Sequence, residues 1–225
     1  STRKESSAAS DVYKRQGPIR VPSGDIEVDL DIETSSENTV YLWGVLVHDP
    51  SSGQEPSYHP FIHWGELDHA GQVALASRAM AFITSLAQGG GRRVRVYHYS
   101  DYEVVHLRRL AEVDGVPDDE VAVQLERLGS DWVDLYKIMQ AHFFGAHGLG
   151  LKVVASHAAG FSWRDDEPGG LNSQKWFAEA IDPRISTEGR DQARHRVLAY
   201  NEDDVRATWA LRAWLRREHD ASEDT

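Results

Sequence analysis

Eight consecutive residues, Ile26-Glu27-Val28-Asp29-Leu30-Asp31-Ile32-Glu33, alternate apolar and acidic without a break. Successive side chains of a β-strand point to opposite faces. The run therefore predicts a strand with Ile26, Val28, Leu30 and Ile32 on one face and Glu27, Asp29, Asp31 and Glu33 on the other. The apolar face demands a covering layer. Four carboxylates in a row repel each other, so water or a cation must compensate them. Alone, such a face reads as a solvated edge. Asp31-x-Glu33 followed by Thr34 is also the arrangement that a site for hard divalent cations needs.

The neighbouring segments supply a sheet. A second strand is predicted over Val40–His48 and a short third over residues 58–63, separated by a turn rich in Pro, Ser and Gly. A helix is expected over 66–87, a strand over 94–97 and a helix from Ser100 or Asp101 to about Val113. The second half reads as mainly helical, broken by a loop at 164–170. A last helix is expected over about 190–217, with an interruption near Tyr200. Strands in hairpin order followed by alternating strand and helix indicate an α/β fold with a central mixed sheet flanked by helices. Residues 1–17 are polar and aperiodic and are expected to be a disordered or non-native head. Residues 18–220 form the domain, and 221–225 a polar tail.

A chain of 225 residues is long enough for one domain with a real core. No apolar stretch approaches the roughly 20 residues of a membrane-spanning helix, so no membrane role is expected. Cysteine is absent, which excludes disulfides, thiolate zinc sites and iron–sulfur clusters and suits the cytoplasm. The net charge of −12 argues against a nucleic-acid coat protein. It leaves open an enzyme that reaches phosphate through bound cations. The arginine clusters at 92–95, 108–109, 190–196 and 212–217 read as solvated faces.

Two further segments carry acids toward the interior. In Tyr200-Asn201-Glu202-Asp203-Asp204, Tyr200 and Asp204 share a helix face that continues through Ala207, Leu211 and Trp214 or Leu215. A carboxylate on that apolar stripe needs a partner, either an arginine or a metal. Glu202 and Asp203 fall off the stripe and are expected in solvent. Glu103 shares a face with Leu107 and Leu110. Ser100-x-x-Glu103 is also a capping box, in which Glu103 would bond the Ser100 amide. Together these acids could supply oxygen ligands for two Mg²⁺ or Mn²⁺ ions, the layout used in phosphodiester hydrolysis.

Asp31-Ile32-Glu33-Thr34, Tyr102-Glu103 and Tyr200-x-x-x-Asp204 resemble the three motifs of the DEDD exonuclease superfamily in its tyrosine-bearing branch. With Asp134-Leu135-Tyr136, Gly150-Leu151-Lys152, Phe161-Ser162-Trp163-Arg164 and the segment 200–215, residues 20–217 resemble the YprB-type ribonuclease-H-like domain of predicted RecB-family nucleases. The resemblance implies a ribonuclease-H-like fold and a two-metal site. Asp31 would bridge both ions, Glu33 would support one, Asp204 would complete the site and Tyr200 would orient the attacking water. Glu103 stands where these exonucleases usually carry Asp. Asp134 and Lys152 match family signatures and, with Asp29, are possible auxiliary residues. Lys152 is a candidate phosphate contact or a surface or ion-pairing lysine; Asp29 reads as auxiliary or solvated, and Glu27 as solvated.

The expected activity is a 3′–5′ exonuclease on single-stranded nucleic acid, DNA rather than RNA. A helicase or RecB-like nuclease domain is the expected partner. The alternative is a non-catalytic nucleic-acid-binding or docking module of such a system. His59 and His63 are not expected to hold zinc, since Pro60 breaks the helix that their spacing would need. Most tryptophans are expected in the core.

Overall fold

The structure is a computed structural model that describes residues 13–15, 17–87, 89, 91–111, 119–145 and 147–220. In chain order its elements are β1 (Tyr13–Arg15), β2 (Ile26–Thr34), β3 (Val40–His48), β4 (Ser57–Ile62), α1 (His69–Ser85), β5 (Val94–His98), α2 (Tyr102–Ala111), α3 (Asp119–Glu126), β6 (Trp132–Asp134), α4 (Leu135–His142), β7 (Phe143–Gly145), α5 (Leu151–His157), α6 (Gly170–Ile181) and α7 (Thr187–Asp220). Five strands form one mixed sheet in the order β4-β3-β2-β5-β6. β2, β3 and β4 pair antiparallel, whereas β5 and β6 run parallel to β2. The acidic–apolar strand is therefore the central one, covered on both faces.

Its apolar face packs Ile26, Val28, Leu30 and Ile32 with Trp43, Val45, Val94 and Val96. Leu75, Ala79, Met80 and Ile83 of α1 and Leu107 and Leu110 of α2 close that layer. The acidic face is covered by α7, whose Val197, Tyr200, Leu211, Trp214 and Leu215 join the cores on that side. No helix among the described residues is long and apolar enough to cross a membrane.

Several boundaries differ from the sequence reading for local reasons. α1 starts at His69 because the Asp68 carboxylate accepts the Gly71 amide at 2.8 Å and caps the helix. α7 runs without interruption through Tyr200. Residues 112–118, where α2 was expected to end, lie outside the described residues. β6 and β7, of three residues each, are too short to show a period of two. β7 pairs antiparallel with β1, so strand pairing reaches into the segment expected to be a disordered head.

Candidate metal centre

The acidic face of β2 is buried at Glu27, Asp29 and Glu33 and half-buried at Asp31, and its four carboxylates divide into two pairs with different partners. Glu27 and Asp29 are 1% and 0% exposed. Arg212 of α7, itself 1% exposed, donates from Nε and Nη2 to Asp29 at 3.0 and 2.7 Å and from Nη1 to Glu27 at 2.6 Å. Arg216 donates to both oxygens of Glu27, at 3.0 and 2.7 Å. The Tyr97 ring lies 4.0 Å from the Arg212 guanidinium. Burial pushes the Glu27 carboxyl up, but the hydrogen bonds and charges of Arg216 and Arg212 outweigh it and hold the group at about 2. Glu27 and Asp29 are thus not solvated but paired with arginine, and Arg212 is not on a solvated face. A central strand roofed by a helix buries these two acids, so the roof carries the counter-charge.

Asp31 and Glu33 receive no arginine among the described residues. With Asp204 they form a group whose ligand oxygens all lie within 4.8 Å of one another. β2 supplies the first two and α7 the third; Tyr200 precedes Asp204 by one helical turn and is also buried. Each acid is held by a neutral donor. Asn201 Nδ2 donates to Asp31 Oδ2 at 3.0 Å, Ser173 Oγ to Glu33 Oε2 at 2.8 Å, and Trp163 Nε1 to Asp204 Oδ1 at 2.7 Å. Lys152 Nζ donates to Tyr200 Oη at 2.7 Å and lies 3.9 Å from Asp204 Oδ1. No arginine among the described residues pairs with Asp204. Arg164 instead bonds Asp203 and Glu202, which Arg206 also reaches, so neither acid is free in solvent.

Glu103 is 2% exposed and points inward. It does not form the capping box, because the Ser100 amide donates to Asp134 Oδ1 at 2.9 Å. Ser100 has φ 79°, and this left-handed turn leads from β5 into α2. Glu103 Oε2 has no hydrogen-bond partner and lies 4.0 Å from His98 Nδ1. It stands outside the tight group of three, close enough for its charge to raise Asp31. Asp134 is the N-cap of α4, accepting the Tyr136 amide at 2.9 Å as well as that of Ser100; both bonds are structural.

The electrostatics of the inner acids are opposite to those of Glu27. Burial and the charges of Asp204, Glu33 and Glu103 push Asp31 well above the usual carboxylate range. Burial, then Asp204, lifts Glu33 to about 8. Burial lifts Glu103 to about 8 and raises Asp204 against the opposing pull of Lys152, Trp163 and Tyr200. Three carboxylates, Asp31, Glu33 and Asp204, thus face one ammonium, Lys152, in a cavity of about 290 Å³, also lined by Tyr102, Gln174 and Tyr200. Without a cation, the group lowers its charge by holding protons. Hard oxygen donors converging in an under-neutralised site suit a hard divalent cation, which Asp31, Glu33 and Asp204 could hold.

A profile of the RNase H superfamily matches residues 28–216. The chain belongs to the RNase H superfamily. No curated protein and no solved structure matches it. The mixed five-stranded sheet flanked by helices, which the strand pattern predicts, is an RNase H-like fold, as the resemblance implies. Membership together with the acidic triad suggests a nuclease, hence a hydrolase that acts on nucleic acid with divalent metal.

Residues that the motifs left without a role complete the RNase H-like site. Asn201 is fully buried between the Asp31 carboxylate and the Tyr58 hydroxyl, which donates to its Oδ1 at 2.7 Å. It fits only because Gly44 lies opposite: a Cβ there would be 1.7 Å from Asn201 Oδ1. An isolated glycine inside a strand is a signal of such close approach. Trp163 stands in the signature at 161–164 without an assigned role, and Ser173 lies in no motif. Trp43, Trp132, Trp176 and Trp214 are buried as expected, whereas Trp163 bonds a site carboxylate.

Proposed function

We propose that this domain is a metal-dependent nuclease that hydrolyses phosphodiester bonds, acting as a 3′–5′ exonuclease on single-stranded ends. The observation that carries the reading is the contrast along one strand face. Glu27 and Asp29 are neutralised by arginines, whereas Asp31 and Glu33, with Asp204, are left under-neutralised. Buried carboxylates without counter-charge are costly unless a cation joins them. Two Mg²⁺ or Mn²⁺ ions, when bound, would neutralise the acids and act as Lewis acids on the attacking and leaving oxygens.

The chain's own groups do the rest. Asp31, Glu33 and Asp204 hold the ions, and Glu103 adds negative charge beside Asp31. Asn201 and Ser173 fix the carboxylate orientations of Asp31 and Glu33. Tyr200 would orient the attacking water, its oxygen accepting from Lys152, which lies beside Asp204. Burial and the surrounding acids push the Tyr200 phenol far up, so it acts as a neutral hydroxyl. Lys152 is half-exposed beside Asp204, where its ammonium can meet phosphate.

The signatures at 134–136, 150–152, 161–164 and 200–215 support placement in the YprB-type branch. That placement carries the expectation of a cytoplasmic protein, a DNA substrate and a helicase or RecB-like nuclease partner. The test is digestion of 5′- and 3′-labelled single strands in Mg²⁺, Mn²⁺ or EDTA. Stepwise loss from the 3′ end, abolished by EDTA and by Asp31→Ala, is expected. Equal activity in wild type and Asp31→Ala would overturn the assignment.

A further inference from the structure

A second cavity, of about 490 Å³, opens beside the carboxylates. Its place follows from the sheet. β2, β5 and β6 are adjacent and parallel, so their C-terminal ends share one edge. Asp31 and Glu33 stand near the end of β2, while His98 at the end of β5 and Asp134 at the end of β6 line the second cavity. Adjacent strands lie ~4.8 Å apart, which sets this cavity one to two strand spacings, ~5–10 Å, from the acids. One or two nucleotides of an extended strand would cover that distance. The start of α2 separates the two spaces. Tyr102 lines the first and bonds Thr34 at 2.8 Å, and Glu103 lies 4.0 Å from His98 at the wall of the second.

The lining suits a phosphate-bearing chain. Arg108 of α2 and Lys137 of α4 are exposed, and neither forms an ion pair with a described residue. Of the two wall acids, Asp134 spends Oδ1 on two backbone amides, and Asp101 is exposed. Trp132, tied by its Nε1 to Gln124 at 3.1 Å, and Tyr136 give the cavity aromatic surface. The volume is within the usual range for ligand sites, roughly 300–1,000 Å³. A cavity of about 480 Å³ on the other side, joined to the acids through Gln174, differs in charge. It is lined by Glu66 and Asp182, and its one cation, Arg184, is bridged to Asp182 at 2.8 Å.

We propose that the cavity between α2 and α4 is a subsite for the sugar–phosphate backbone of single-stranded nucleic acid next to the scissile bond, with Arg108 and Lys137 as its phosphate contacts. The word scissile rests on the nuclease reading; the binding does not. On a chain of net charge −12, two cations without an ion pair among the described residues, at one end of the acidic site, fix the side from which a polyanion approaches.

The test is fluorescence anisotropy of a labelled oligothymidylate in EDTA, over a range of salt, with wild type, Arg108→Gln/Lys137→Gln and Arg184→Gln. Each lost phosphate contact lowers the slope of log affinity against log salt by about 0.7 for a single strand. The double variant should lose about 1.4 of that slope, so tenfold more salt weakens wild type about 25-fold more than the variant. Arg184→Gln should keep the wild-type slope. All three substitutions are at exposed side chains, and unchanged melting temperatures confirm the fold. Equal slopes in wild type and double variant, or the same loss in Arg184→Gln, overturn the subsite. Wild-type hydrolysis of the same probe in Mn²⁺ is read in parallel. Hydrolysis with equal slopes removes the subsite and keeps the nuclease; no hydrolysis with the slope difference intact removes the nuclease and keeps the subsite.

Discussion

Arg212→Met removes the guanidinium that sits against Glu27 and Asp29 and keeps most of the side-chain volume. Arg212 is 1% exposed and makes three bonds of 2.6–3.0 Å to the two acids. In the variant Arg216 still bonds Glu27, so the loss falls on Asp29, which is 0% exposed and keeps no strong cationic partner. Removing one partner of a buried ion pair costs about 3–5 kcal/mol, because the remaining charge is stranded. For a chain of this size that lowers the melting temperature by about 6–20 °C. Urea denaturation of wild type and variant at neutral pH measures the loss. Adding Asp29→Asn to Arg212→Met removes the stranded charge, and the double-mutant cycle should show a coupling of about 1–3 kcal/mol. A cost for Arg212→Met below about 1 kcal/mol, the worth of a surface pair, would refute the reasoning. So would zero coupling.

Glu33 and Glu103 are at about 8 in the fold against an ordinary 4.5. Raised carboxylates leave stability intact below the unfolded value and erode it as pH rises toward the folded one. Metal-free protein should therefore lose stability from about pH 4.5 to about pH 8, and Mn²⁺ should restore it. Thermal melts in EDTA and in Mn²⁺ check this: the gain from metal should grow with pH, and a gain independent of pH contradicts it. Gly44→Ala places a Cβ 1.7 Å from Asn201 Oδ1 and should expel Asn201 from Asp31. The expected cost is about 1–3 kcal/mol, with weaker metal binding, both read by denaturation and calorimetry. Trp163→Phe keeps an aromatic ring of smaller size and deletes the N–H to Asp204. Loss of such a supporting donor should weaken Mn²⁺ binding by about 10–100-fold, and unchanged affinity in calorimetry would show that the bond has no such role.

The parts of the fold legible in the sequence were those with a period. β2 announced itself by strict alternation, and Tyr200 and Asp204 by an acid on an otherwise apolar helical stripe. Alternation could not say that β2 is central, since an edge strand with one wet face has the same pattern. That depends on β5, which pairs with β2 only after a helix has intervened. The fate of Glu27 and Asp29 was hidden for the same reason, because Arg212 is 183 residues from Asp29. A second stripe was nevertheless present. Asn201, Asp204, Thr208 and Arg212 follow one another at helical spacing, all polar and all buried. Polar residues at such spacing beside an apolar stripe mark a helix that faces charge, and the acidic face of β2 supplies it. Glu103 shows the converse limit. Its inward direction was legible, whereas the Ser100 amide found Asp134, a strand-end acid no local motif connects to it.

The central claim is that the acidic face of β2 is divided, its outer acids neutralised by arginine and its inner acids open to divalent metal. Calorimetric titration of Mn²⁺ into wild type and Asp31→Asn at pH 8, in two buffers of different ionisation enthalpy, tests it most directly. Wild type should bind with proton release, since raised carboxylates must lose protons to ligate, and Asp31→Asn should lose most of the affinity. Binding that survives Asp31→Asn undiminished, or a wild type that takes up no Mn²⁺, would contradict it.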